Sequence, residues 1–128
     1  MSEISDDELL LRATAIVGAR RLSPTVQVGY VGCALVTNSG NIRVGVCLDA
    51  SCGIGFCAEH AAIANMVTLG ESHISTLVAV DCDGNVLPPC GRCRELISQI
   101  NPKNSDARVL LPAGRVTTLR KLLPEQWN

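Results

Sequence analysis

Three cysteines constrain the fold of this chain more tightly than any other feature of its sequence. Cys57 opens the run CAEHAA, and Cys90 and Cys93 form the pair in PPCGRCRE. Each group stands at the start of a helical pattern, where free backbone N–H groups and the positive end of the helix dipole favour thiolate over thiol. If the three sulfurs serve one ion, two helices separated in the chain by a strand must begin side by side. A Cys-x-x-Cys pair by itself leaves three readings open: half of a structural zinc site, a redox couple, or part of a catalytic metal centre.

The remaining sequence supplies elements that can meet this demand. Ser5 followed by Glu8 is a capping-box pattern, and Leu9, Leu10, Ala13, Ile16 and Val17 recur at helical spacing. They predict a helix over residues 6–21, ended by Ser23-Pro24. The β-branched and small residues of 26–37 and 42–48 predict two strands of an antiparallel hairpin joined by the Asn38-Ser39-Gly40-Asn41 turn. Residues 49–56 read as a loop. From Cys57 to Leu69 apolar residues run almost all round a helix that Gly70 stops.

Residues 76–80 predict a short strand and Asp83-Gly84-Asn85 a turn. A helix follows over 90–100, entered through Pro88-Pro89 and stopped by Asn101-Pro102. A strand over 108–111 and a short helix over 117–123 complete the order α-β-β-α-β-α-β-α. There is no repeat, low-complexity tract or linker. The expectation is an α/β fold, a single three-layer α/β/α domain with a mixed sheet over residues 1–128, its later strands parallel.

Composition narrows the partners. With 47% hydrophobic residues the chain can bury a substantial core, but only 2% are aromatic, so that core falls to Leu, Ile, Val and Ala. Tyr30 and Phe56 read as packing residues, with Phe56, beside Cys57, also placed to wall a pocket. Trp127 either covers the core or closes over a substrate, in its own or a neighbouring subunit. A net charge of -1 offers no footprint for a phosphate backbone, so no nucleic-acid partner is expected. The N-terminal run MSEISDDELLLRA is acidic and does not read as a signal peptide. No segment approaches the roughly 20 apolar residues that span a bilayer. No membrane partner is expected either. A cytoplasmic protein with reduced or metal-bound cysteines follows, with Cys33, Cys47, Cys52 and Cys82 as small core residues or loop thiols.

Three thiolates suit zinc, and three protein ligands leave a fourth position open, the arrangement of catalytic zinc. A closed structural site needs Cys52 or His60 as a fourth ligand. Glu59 lies two residues beyond Cys57 in the first turn of the same helix, from where a carboxylate reaches past the metal to a water molecule as proton carrier. Alone, Glu59 is an ordinary first-turn carboxylate. Beside Cys57 it is the candidate catalytic residue, which a redox pair does not require. A ligand, one residue, Glu, then Pro-Cys-x-x-Cys is the pattern of zinc deaminases, here with cysteine as first ligand.

On these motifs the chain resembles the small zinc-dependent cytidine deaminase family. YVGCALVT at residues 30–37 resembles the family's first core strand, and KLLPEQW at 121–127 its C-terminal segment. The run from Pro89 to Arg94 resembles the family's blasticidin-S deaminase branch. The resemblance implies a cytidine deaminase-like fold and one Zn²⁺ per chain on Cys57, Cys90 and Cys93, with Glu59 as proton carrier. It implies a small-molecule substrate, a cytosine nucleoside: cytidine, deoxycytidine or a modified form such as blasticidin S, deaminated by water. It also implies a homotetramer.

Two departures bear on substrate. Gly29 stands where the family strand usually carries a phenylalanine that lines the base pocket. Cys47-Leu48-Asp49 stands where it carries Asn-x-Glu for the ribose hydroxyls. Both point to an opened pocket, with Asp49 still able to accept a sugar hydroxyl. Phe56, Ala58 and Trp127 complete the expected substrate contacts. His60 replaces a common arginine. With Arg92 and Arg94 it is expected to offset the net charge of about -1 that three thiolates leave on one zinc ion. The competing readings are a non-catalytic zinc-bearing protein, which requires a fourth ligand, and a polynucleotide deaminase, which requires a basic track.

Overall fold

Alternation of apolar side chains along two strands sets the layering in the computed structural model, which describes residues 3–128. On β2 (Val26–Thr37), Cys33 and Leu35 face one side of the sheet and Ala34 and Val36 the other. On β4 (Ile74–Asp81), Leu77 and Ala79 alternate with Val78 and Val80 in the same way. With side chains pointing alternately up and down, both faces of the central strands are apolar and both need a cover. The helix α1 (Asp6–Ile16) covers one face through Leu9 and Ala13. The helices α2 (Ala58–Thr68) and α3 (Gly91–Ile100) cover the other through Ala62, Ile63, Met66 and Ile97. The result is the expected three-layer arrangement.

The seven-stranded sheet is mixed. β2 pairs antiparallel with β1 (Arg20–Ser23), with β3 (Ile42–Ala50) and with β4. β4 also pairs antiparallel with the two-residue β5 (Val86–Leu87) and parallel with β6 (Arg108–Leu110), which in turn pairs antiparallel with β7 (Val116–Thr118). Because β3 and β4 both oppose β2, they run parallel to each other and end at the same edge of the molecule. The chain leaving each turns onto the same face, so α2 and α3 begin at that edge too. Among the described residues, no helix is long and apolar enough to cross a membrane.

The first helix stops at Ile16, not at 21, because Val17 is already extended and the Gly18 N–H donates to the Gly29 carbonyl at 2.9 Å. The freed residues form the edge strand β1. Gly29 adopts φ +85°, and a β-carbon there would sit 2.1 Å from the Gly18 oxygen. Its smallness therefore serves this backbone contact. The predicted helix over 117–123 divides into β7 and the one-turn α4 (Leu119–Leu122), since β-branched Val116, Thr117 and Thr118 complete the sheet edge beside β6.

A buried amide holds the far end of α3. Asn104 is fully buried, accepting from the Ile74 N–H and donating to the carbonyls of Ser72 and Ile97. At the near end of α2, Gly45 on β3 permits close packing: a β-carbon there would lie 2.4 Å from the Ala62 nitrogen and 2.5 Å from the Ala61 β-carbon. Backbone cannot yield as a flexible side chain can. We expect Gly45→Ala to lower unfolding stability by about 1–3 kcal/mol in urea titrations. Gly91→Ala, in open space at the start of α3, should stay within about 1 kcal/mol of the parent.

Candidate metal centre and active site

Cys57 is the N-cap of α2 and Cys90 the N-cap of α3, both with extended backbone, and neither side chain caps its helix. Their sulfurs are therefore free to meet. Cys57 Sγ lies 3.6 Å from Cys90 Sγ, which lies 3.5 Å from Cys93 Sγ, and all three fall within 4.8 Å of one another. Zinc–sulfur bonds of about 2.3 Å in a tetrahedron require sulfurs about 3.8 Å apart, so the cluster fits a zinc ion. His60 Nδ1 is 3.4 Å from Cys93 Sγ but is not part of the three-sulfur group, and Cys52 lies exposed in the loop after β3. Among the described residues, no fourth side chain closes the site.

The local fields differ between the thiols. Partial burial opposes ionisation of Cys90, but the Cys93 backbone N–H, its thiol, the Cys57 thiol and the Arg92 N–H together bring its pKa below the ordinary value. Burial pushes Cys57 up, reinforced by Cys90. Cys93, wholly buried, is pushed far up by desolvation and by the Glu59 charge. A divalent cation answers all three at once, since metal binding replaces the thiol protons.

Glu59 follows Cys57 into the first turn of α2 and is only 5% exposed. Burial raises its pKa above the usual carboxylate value, with its own backbone N–H and the Cys93 thiol acting the other way. Its carboxylate borders a cavity of about 510 Å³ that Cys57 and Cys90 also line. The apolar walls come from Tyr30, Val31, Phe56, Ala79, Leu87 and Pro88. Polar groups are few, as in small-molecule sites generally: Glu59, Asp49, Arg92 and the thiols.

Of the residues singled out in the sequence, Cys47, Asp49, Phe56, Ala58, Glu59 and Arg92 come together in this cavity. Gly29 does not line it; its neighbour Tyr30 does. Cys47 Sγ accepts from the Val31 N–H at 3.3 Å and approaches Asp49 Oδ2 at 3.8 Å. Arg94 turns away from the sulfurs. Its Nε donates to the Pro89 carbonyl at 2.7 Å and Nη1 to the Leu122 carbonyl at 3.1 Å, strapping the entry of α3 to α4. His60 touches Cys93, and burial together with the Arg92 charge keeps its pKa below normal. Trp127 is 81% exposed and does not line the cavity. Sequence reasoning missed Val31, Ala79 and Leu87 as lining residues. Only Leu87 had a local signal, its place directly before Pro88-Pro89.

Comparison with known proteins agrees with this geometry. The family profile described as the cytidine and deoxycytidylate deaminase zinc-binding region matches residues 5–106. Blasticidin-S deaminase of Bacillus cereus is 37% identical over 111 residues, 77% of either chain. Cytidine deaminase of Mycobacterium tuberculosis strain H37Rv is 35% identical over 68 residues, 52% of this chain and 51% of that one. The crystal structure of a mutant cytidine deaminase from Mycobacterium tuberculosis superposes with a TM-score of 0.83 at 28% identity, covering 98% of this chain and 100% of the other. With a profile spanning most of the chain and three sulfurs gathered as zinc requires, the chain belongs to the zinc-binding cytidine and deoxycytidylate deaminase family.

Proposed function

We propose that this chain hydrolyses the 4-amino group of a cytosine nucleoside, with one zinc ion on Cys57, Cys90 and Cys93 and Glu59 as proton carrier. The observation that carries the reading is a buried carboxylate, Glu59, facing the same cavity as two of the three clustered cysteines. Held there, zinc acts as a Lewis acid that makes water a competent nucleophile near neutral pH. Glu59 takes one proton from the attacking water and gives it to the ring nitrogen, where it stays. It then carries the second, from the new hydroxyl on C4, to the departing amine as the carbonyl forms. Water oxygen ends on C4, the C4–N bond breaks and ammonia leaves. Burial suits this role, because a carboxyl group with a raised pKa holds its proton between steps.

The other lining residues bind and orient. Tyr30, Val31, Phe56 and Leu87 offer apolar surface to the base and keep bulk water away, and Asp49 receives the sugar. The Bacillus cereus relative is named for blasticidin S and the mycobacterial one for cytidine. Cys47 favours a modified nucleoside. Its thiol is engaged by the Val31 N–H and turned towards Asp49, so it offers no amide donor and acceptor to a ribose diol. The Gly29 part of the substrate argument falls away, because that glycine answers to Gly18.

In this reading the enzyme is a cytoplasmic homotetramer. Exposed Tyr30, Ile54, Phe56 and Trp127 support a covering of the apolar surface by further copies.

Purified protein should carry about one zinc per chain by elemental analysis. Glu59→Ala should keep that zinc yet release ammonia about 10²- to 10⁴-fold more slowly; a variant within tenfold of the parent removes Glu59 from the reaction. Light scattering should give a mass of four chains. Trp127→Ala should lower kcat/KM at unchanged zinc content, and unchanged kinetics would confine Trp127 to the surface.

A further inference from the structure

The Cys-x-x-Cys pair at the start of α3 holds its two sulfurs in unequal surroundings. Cys90, the N-cap, is exposed and lines the catalytic cavity, whereas Cys93, in the first turn, is fully buried and does not line it. Their Sγ atoms are 3.5 Å apart. A disulfide needs about 2.05 Å, so the two sulfurs must approach by about 1.5 Å. Cys90 is free to supply that movement: it stands outside the helix with extended backbone, its side chain caps nothing, and Gly91 beside it faces open space. Cys57 Sγ lies almost as near to Cys90, at 3.6 Å. A bond there, however, has to draw two separately held helices together. α2 is seated on β3 through the backbone contact of Ala62 with Gly45, and Arg94 ties the entry of α3 to α4.

An exposed sulfur next to a buried one in the same helical turn is the layout in which a first thiolate reacts and a second resolves it. We infer that Cys90 and Cys93 form an oxidation site for hydroperoxides, closing a disulfide that dismantles the metal centre. This rests on the three cysteines holding zinc, as in the deaminase reading. A cavity that admits a nucleoside admits hydrogen peroxide to Cys90. The Cys90 thiolate attacks the O–O bond and keeps one oxygen as a sulfenic acid, while the other leaves, protonated by solvent, as water. The Cys93 thiolate then attacks the Cys90 sulfur, the S–O bond breaks, and the second oxygen leaves as water. The sulfur pair has lost two electrons and the peroxide has gained them. Cys57 remains as the one thiolate of a centre that zinc occupies through three. The other exposed thiols lack this arrangement. Cys82 donates to the Tyr30 carbonyl at 3.4 Å, and among the described residues neither Cys82 nor Cys52 hydrogen-bonds another sulfur.

The test adds hydrogen peroxide to zinc-loaded protein, about one equivalent at a time, following zinc with a metallochromic dye and the thiols by alkylation and mass spectrometry. About one zinc should be released per disulfide. The peptide holding Cys90 and Cys93 should become lighter by about two mass units and closed to alkylation. Dithiothreitol with added zinc should restore the metal. Ammonia release should fall in proportion to the zinc lost. The double variant Cys52→Ser/Cys82→Ser should behave as the parent, and zinc retained in it under peroxide overturns the proposal. So does a bond from Cys90 to any cysteine other than Cys93, or a sulfinate on Cys90 with no bond. Zinc and ammonia release that both persist under peroxide overturn the oxidation site and leave the deaminase reading intact. Protein that loses zinc with this disulfide, yet releases ammonia from no cytosine nucleoside beforehand, supports the oxidation site and overturns the deaminase reading.

Discussion

The convergence of two helix N-termini is the constraint on which the other features depend. Cys57 and Cys90 cap helices that reach the same edge only because β3 and β4 flank β2 with opposite direction to it. Reverse either strand and its following helix starts at the far edge, with the sulfurs a sheet-length apart. The hairpin turns and the β4–β5 return are therefore as much part of the metal centre as the cysteines. Gly45 sets how near α2 lies to β3, Asn104 anchors the end of α3, and the Arg94 strap fixes the bend through Pro89. Each acts on sulfur positions without touching a sulfur.

Much of this was legible from the chain alone, because the signals are local. Helix starts at Cys57 and Cys90, the 38–41 turn and the strand over 26–37 follow from apolar patterning, turn chemistry and β-branched content. Those preferences agree with the tertiary result. The three thiols and Glu59 were legible because their chemistry needs those residue types at that spacing.

Features decided by contacts distant in sequence were not legible. Gly29 is a glycine because Gly18 approaches it, which no pattern around residue 29 reveals. Arg94 resembles a counter-charge in PCGRCRE but finds two carbonyls, one of them in α4. β1 exists because β2 offers it an edge beyond the end of β4, and its four residues carry no alternation of burial to announce it. Val31 and Ala79 become lining residues only once β2 and β4 lie side by side.

Electrostatics gives the site its direction. Three thiolates and a carboxylate around one divalent ion leave an excess of negative charge in a half-buried place. The compensation here is dispersed: two helix N-termini, the N–H groups aimed at Cys90, and Arg92 at the cavity wall. His60 adds little positive charge, since burial and Arg92 hold it towards the neutral form. Burial drives Glu59 towards its protonated form. A carboxyl group kept ready to hold a proton beside a Lewis-acid site is what a deamination needs.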